Sequence, residues 1–342
     1  MGFTIRLISD STREVAAQEG ETLLDNLLAA GIAFPHNCKA GNCGACKCEY
    51  IDGDVLELPC SEYALSPEER ARGFILACRS QAWGDATIRA LAADDIVLHP
   101  SRVMRCRVAG LADLTHDIRE LVLEIESGGP FTFSPGQHAK LKFGPGIEAR
   151  NYSMANRPDE RALAFQIRRV PGGQASGYVF DLLHVGAEVG VSGPSGIAYL
   201  RDRHEGPILA VAGGSGMAPI QSIVATALAA DPAREIHVYF GIRDERDVYR
   251  EDWLRALAAR HPAVSYAIVL SQPRAATTRR RGLVADALAE DFARLPGFKA
   301  YVAGPPPMVE AVEARVLAAG LPRRDVHADA FYSQAGDRFE VS

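Results

Sequence analysis

Three different periodicities follow one another along the chain. From Phe3 to Ile8 apolar and polar residues alternate, and they do so again around Glu14 to Ala16, which predicts two short opening strands. Leu23, Leu24, Leu27 and Leu28 then share one helical face behind Glu21-Thr22, and Gly31 marks the end of that helix. A strand at 47–51, a turn at Asp52-Gly53-Asp54, a short helix capped by Ser66-Pro67, the apolar run Phe74–Ala77 and a closing strand at 86–90 follow. Strand pair, helix, loop and return strands predict a compact α+β, β-grasp-like domain over residues 1–92.

Residues 92–101, with Asp94-Asp95 and Pro100, read as a linker. Short strands broken by Gly and Pro come next, at 104–109, 118–125, 137–143, 150–154 and 163–169, with one helix at 174–183. That rhythm predicts an antiparallel β-barrel or sandwich over 102–205. From Pro207 the pattern changes again. A continuous apolar strand, 208–212, runs into a glycine turn, and a helix continues to Ala230. Strands at 236–240, 265–269 and 299–302 then alternate with helices at 250–259, 284–292 and 308–319. Such alternation predicts an α/β, doubly wound parallel sheet over 206–342. The fold class is therefore multidomain, with three architectures in series.

Composition narrows the function classes. The 342 residues suffice for two or three cores, and 47% hydrophobic with 23% charged residues describes a globular protein. A formal charge of -6 argues against general nucleic-acid binding. No apolar run is long enough to span a bilayer, and the first residues lack a signal-peptide layout. The Met-Gly start is not a myristoylation signal either, because Arg6 stands where Ser or Thr is needed. The expected location is the cytoplasm, with no membrane partner and a monomeric chain.

Of seven cysteines, Cys38, Cys43 and Cys46 form a C-x4-C-x2-C loop with Gly41 and Gly44, and Cys78 follows at a distance. This spacing predicts a [2Fe–2S] cluster on four thiolates, with the glycines letting backbone N–H groups approach the sulfurs. A structural zinc site would need a second close pair, which Cys78 alone does not supply. Disulfides fit poorly with an odd cysteine count and no secretion signal. Cys48, Cys60 and Cys106 read as small apolar residues.

Four further motifs stand in the later domains. Gly213-Gly214-Ser215-Gly216-Met217-Ala218-Pro219 is a glycine-rich strand-to-helix turn, serving either tight packing or a pyrophosphate. Gly304-Pro305-Pro306-Pro307-Met308 follows a later strand, so both loops belong at the carboxyl edge of the sheet, where ligands bind. Arg150-Asn151-Tyr152-Ser153 reads as an ordinary strand or, with Gly172-Gly173-Gln174-Ala175-Ser176 at a helix start, as an anion site beside an aromatic platform.

In that order RxYS, GGxxS, GGxGxxP and AGPPPM resemble the ferredoxin–NADP reductase superfamily, and the cysteine loop resembles plant-type ferredoxin. The fusion is similar to reductase components of bacterial ring-hydroxylating dioxygenases and multicomponent aromatic monooxygenases, across nearly the whole chain. By that resemblance Cys38, Cys43, Cys46 and Cys78 hold the cluster. FAD falls to Arg150, Tyr152, Ser153, Ile167, Arg169, Gly173, Gln174, Ala175 and Ser176. The nicotinamide nucleotide falls to Gly213, Gly214, Gly216, Met217, Pro219, Arg243, Gly304, Pro305 and Pro306. Ser153, Asp329 and Phe331 are implied at the reacting ring, Phe331 either covering the flavin or serving as a core aromatic. One departure is Ala303, where many relatives carry Cys before the GPP turn.

The resemblance implies that NAD(P)H reduces FAD, that FAD passes single electrons to the cluster, and that the cluster feeds a terminal oxygenase or its ferredoxin in aromatic hydrocarbon breakdown. Reduction of a diiron monooxygenase or a deoxysugar dehydrase is the alternative, and a non-enzymatic redox sensor is the reading from another class. Arg243 either grips a 2′-phosphate or stacks on adenine, while Asp244 and Glu245 would repel a phosphate and favour NADH. The run Arg279-Arg280-Arg281 reads as a solvated loop.

Overall fold

The computed structural model describes residues 3–9, 11–32, 34–36, 39–41, 44–62, 64–91, 97 and 99–332. Cys38, Cys43 and most of the 92–101 linker lie outside these residues. Two compact units emerge: Met1–Leu98 with Ser195–Ile197, and His99–Pro194 with Ala198–Ser342.

In the first unit, β1 (Phe3–Ile8), β2 (Thr12–Ala17), α1 (Leu23–Ala29), β3 (Lys47–Glu57), α2 (Pro67–Ala71), β4 (Phe74–Leu76) and β5 (Ser80–Ala90) succeed one another. The sheet order is β2-β1-β5-β3-β4, with β1 and β5 parallel. Helix α1 starts where the Thr22 hydroxyl accepts the Asp25 N–H at 3.1 Å, and its Leu23, Leu24 and Leu27 are fully buried on the sheet. At α2 the Ser66 hydroxyl accepts the Glu69 N–H while the Glu69 carboxylate accepts the Ser66 N–H, a reciprocal cap. The expected turn at Asp52–Asp54 is instead part of β3. Its pairing with β5 slips between Tyr50 and Asp52 and between Gly53 and Val55, so the strand bulges and continues. Gly53 sits at φ +119, where a Cβ would lie 2.2 Å from the Asp85 carbonyl oxygen.

The second unit contains two sheets. β6 (Arg102–Asp113), β7 (Ile118–Ser127), β8 (His138–Lys142), β9 (Arg150–Ser153), β10 (Leu163–Arg168), α3 (Gln174–Asp181) and β11 (Glu188–Ser195) make the first of them. Strand β11 is additional to the predicted set; Val189 and Val191 alternate into the core, but Gly and Ser fill most of the other positions. The order β10-β7-β6-β11-β8-β9 closes through a bridge between Met154 and Phe165, which makes the sheet a barrel.

The other sheet is built from β12 (Ile208–Gly213), α4 (Met217–Ala230), β13 (Ile236–Ile242), α5 (Glu251–Arg260), β14 (Val264–Leu270), β15 (Arg280–Arg281), α6 (Val284–Asp291), β16 (Lys299–Gly304), α7 (Pro306–Ala318) and β17 (Val326–Ala330). All strands are parallel, in the order β15-β14-β13-β12-β16-β17. β12 is apolar at every position because both faces are covered. Ile208, Ala210 and Ala212 join the core beneath α4 and α5, while Leu209 and Val211 join the one beneath α6 and α7. No helix among the described residues is long and apolar enough to cross a membrane.

Candidate functional site

Three sites are laid out by these elements. In the first unit, β3 leaves the cysteine loop just after Cys46, and β4 delivers Cys78 through the short turn Ala77–Arg79. The two cysteines are buried side by side: the Cys78 backbone N–H points at Cys46 Sγ at 3.4 Å, and the Ala77 N–H is bonded to the Cys46 carbonyl at 3.0 Å. Gly41 and Gly44 have φ of +79 and +71; a Cβ on Gly44 would stand 2.9 Å from the Ala64 carbonyl oxygen. Paired thiols with an amide aimed at sulfur, on a loop held open by glycine, fit an iron–sulfur cluster. Cys48 differs. Burial pushes its thiol up to about 12, with Cys78 adding to the shift, so it stays a protonated core residue. Cys106 is likewise buried in the barrel. Cys60 is only half-buried and accepts from Arg70 at 3.2 Å, so it is less purely apolar than its sequence suggested.

On the barrel, β9 pairs with β8 so that Tyr152 opposes Ala139 and Ser153 opposes His138. Strand alternation directs Arg150 and Tyr152 to one face. Tyr152 meets Phe143 edge-on at 6.2 Å, and burial pushes its phenol up to about 12 against the opposing pull of Arg150. Helix α3 opens at Gly173 with no side-chain cap, leaving its first-turn N–H groups available to an anion, as a flavin pyrophosphate requires. The Ser176 hydroxyl is committed to the turn itself, accepting the Val170 N–H at 3.0 Å and donating to the Gly173 carbonyl. Ser176 therefore shapes the cradle. Gln174 is exposed and Ala175 buried. The side chain of Ile167 is wholly inside the barrel core, and Arg169 pairs with Asp181 at 2.8 Å. It is the intervening Arg168, not singled out from sequence, that turns toward the third site.

That site is a cavity of about 380 Å³ at the carboxyl edge of the parallel sheet, lined in part by Gly213, Gly214, Arg243 and Pro305 with Asp117 and Arg168 from the barrel. Gly216, Met217, Pro219, Gly304 and Pro306 do not line it. Met217 and Pro219 are buried within α4. A Cβ on Gly216 would lie 2.0 Å from the Ala303 carbonyl oxygen, and one on Gly304 would lie 2.9 Å from Gly213 Cα. Part of the glycine motif thus seals two strand ends together, and part opens onto the cavity. Ala303 stands opposite Asp329 in the β16–β17 register, and the Phe331 N–H bonds the Gly304 carbonyl at 2.9 Å. The Phe331 side chain packs, partly buried, against the sheet core.

Barrel and parallel sheet are joined by buried polar links. The Tyr249 hydroxyl donates to Gln166 Oε1 at 2.7 Å and lies 3.1 Å from the Gly214 carbonyl, while Gln166 Nε2 donates to Gln221. Ser222 Oγ donates to the Asn156 carbonyl at 2.7 Å. Removing the Tyr249 hydroxyl strands buried acceptors, a cost of about 1–3 kcal/mol. Tyr249→Phe is expected to lower the unfolding midpoint of this unit and to raise the KM for the nicotinamide nucleotide, as Gly214 loosens; unchanged values of both would contradict the link.

Comparison with known proteins assigns three stretches of the chain to cofactor-binding domain families. Residues 7–82 match the 2Fe-2S iron-sulfur cluster binding domain, 105–199 the oxidoreductase FAD-binding domain and 210–314 the oxidoreductase NAD-binding domain. The protein is thus an NAD(P)H-dependent flavin iron–sulfur oxidoreductase, with a [2Fe–2S] cluster, FAD and NAD(P)H as its redox groups. It is 42% identical over 92% of its length (95% of the relative) to the reductase component of the naphthalene 1,2-dioxygenase/salicylate 5-hydroxylase systems of Ralstonia sp.. A Pseudomonas putida naphthalene 1,2-dioxygenase system reductase component is 39% identical, covering 95% of this chain and 98% of that one. The crystal structure of the Amycolatopsis reductase GcoB superposes with a TM-score of 0.78 at 34% identity, over 96% of this chain and 98% of its own. The chain belongs to the family of reductase components of multicomponent oxygenase systems.

Proposed function

We propose that this chain carries electrons from NADH to a terminal oxygenase of the Rieske ring-hydroxylating type, or to that oxygenase's ferredoxin, as a monomer in the cytoplasm. Its domains would be 1–92, 102–205 and 206–342. The observation that carries the reading is one chain holding two buried thiols side by side, a barrel with Arg150 and Tyr152 on one face and an uncapped helix start, and a nucleotide-sized cavity behind glycine turns. The naphthalene 1,2-dioxygenase systems named for the Ralstonia and Pseudomonas relatives favour a dioxygenase partner over the diiron monooxygenase alternative.

When bound, FAD supplies the conversion of a two-electron hydride into single electrons. The residues do the rest. Arg150 and the α3 N-terminus hold the pyrophosphate, Tyr152 packs on the flavin, and Ser153 sits at the inner end of the same strand. Gly213, Gly214 and Pro305 let the nucleotide approach the sheet edge, with Phe331 tied to Gly304 beside them. Ala303 offers no thiol, so hydride transfer depends on positioning. Cys38, Cys43, Cys46 and Cys78 hold the cluster.

The test is anaerobic titration of the purified protein with NADH, followed by addition of a purified aromatic-ring oxygenase. Bleaching of the flavin band and a reduced-cluster paramagnetic signal, then oxygenase turnover, are expected. A protein that oxidises no NADH, or reduces no oxygenase while reducing artificial acceptors, would overturn the respective half of the reading.

A further inference from the structure

The cavity at the sheet edge contains two guanidiniums, and one carboxylate faces both. Arg168 Nε bonds Asp117 Oδ2 at 2.9 Å, and Arg243 Nη2 lies 3.7 Å from the same oxygen. Asp117 comes from the loop before β7, more than a hundred residues from Arg243 in sequence. It is held in place: the Thr115 hydroxyl donates to its Oδ1 at 3.0 Å, and its own carbonyl accepts the Arg169 N–H at 2.8 Å. Arg243 follows the second strand of the sheet, the position that meets an adenosine ribose in open α/β folds.

The acidic neighbours of Arg243 in sequence face elsewhere. Asp244 Oδ1 accepts the Arg274 N–H at 3.1 Å, and Glu245 is taken by Thr277 and Arg279. Repulsion by those two side chains therefore does not account for a preference for NADH. Asp247, also at the cavity wall, accepts the Asp244 N–H, and its other oxygen lies 3.7 Å from His116 Nδ1. With two guanidiniums and two carboxylates the cavity wall is close to neutral, short of charge for a phosphomonoester added to the ribose.

We propose that Asp117 of the barrel sets coenzyme specificity: by occupying Arg168 and Arg243 it denies a 2′-phosphate its cationic partners and so selects NADH over NADPH. This rests on reading the cavity as the nucleotide site. Removing one anion from the pair raises the attraction of both guanidiniums for a phosphate, by about tenfold in affinity for a half-exposed group, or ~1.4 kcal/mol.

The experiment uses the full chain with its cofactors and two probes, 5′-ADP and 2′,5′-ADP, titrated calorimetrically, with NADH and NADPH KM measured alongside. Asp117→Asn is expected to strengthen 2′,5′-ADP relative to 5′-ADP by about tenfold and to shift the NADPH/NADH ratio in kcat/KM the same way. Adding Arg243→Ala should remove most of that gain, since neighbouring charges couple non-additively. Asp117→Ser removes the charge with different hydrogen bonding and should agree; it also serves if the Asn variant folds poorly. A ratio unmoved in both variants, or a gain surviving Arg243→Ala in full, would overturn the role of Asp117 while leaving the cavity reading intact. Failure of the unaltered protein to bind either probe would instead overturn the cavity reading, and the inference with it.

Discussion

Replacing Cys46 with Ser is expected to abolish electron delivery to cytochrome c or an oxygenase, by ~100-fold or more, while NADH-dependent ferricyanide reduction stays within about twofold. Cys46 belongs to the first compact unit, and the flavin and nucleotide sites belong wholly to the second. With Cys46 as a proposed cluster ligand, loss of its thiolate would remove the cluster without touching a residue of the proposed hydride path. Cys46 is buried and shares its environment with Cys78, whose N–H is aimed at its sulfur, so a serine oxygen there would be a harder, poorer ligand in the same pocket. The check is parallel assay of the two acceptors, with iron and acid-labile sulfide counted per protein. Equal loss of both activities would refute the proposed order of transfer. Cys48→Ser, by contrast, should keep its iron, because that thiol lies in β3 and burial holds it protonated.

The second large effect is expected at Gly216. Its Cα faces the Ala303 carbonyl so closely that a methyl group would lie 2.0 Å from the oxygen and 2.9 Å from the Gly304 nitrogen. Both are backbone atoms, held by β16 between β12 and β17, and cannot rotate away. Gly216→Ala should therefore cost on the order of 3 kcal/mol and lower the unfolding midpoint of the second unit by several degrees. NADH turnover should fall with it, because prising β12 from β16 also moves Gly214 and Pro305 at the cavity. Gly146, where an added Cβ meets nothing within 4 Å, is the control, although its φ of +75 carries a modest strain of its own. A Gly216→Ala protein with an unaltered midpoint would show that the strand ends yield more easily than their packing suggests.

Much of this was legible beforehand for identifiable reasons. Periodicity exposed all three architectures, because a helix on one face, a barrel strand and a doubly covered strand bury different sets of neighbours. Leu23, Leu24 and Leu27 announce α1, and the unbroken run Ile208–Ala212 announces a strand covered on both sides. Local chemistry was legible too, since the Thr22 cap and the Ser66/Glu69 reciprocal cap join residues within one turn. What eluded the linear pattern were β11, where Gly and Ser interrupt a short alternation, the strand β17, the two-residue strand β15 within the run read as a loop, and the bulge that turns an apparent loop at Gly53 into a continuous strand.

By itself, then, the amino-acid sequence determined the order of the three folds, the cysteine spacing and the glycine turns, all of which act over short stretches of backbone. Only the tertiary structure decided that Arg168 rather than Arg169 enters the cavity, that Ser176 closes its own turn, and that Asp117 meets Arg243. Those choices depend on which strand pairs with which and how far one sheet lies from the other. Side-chain direction flips with every residue along a strand, so a contact between remote strands is set by register and closure and leaves no trace in the spacing of residues along the chain.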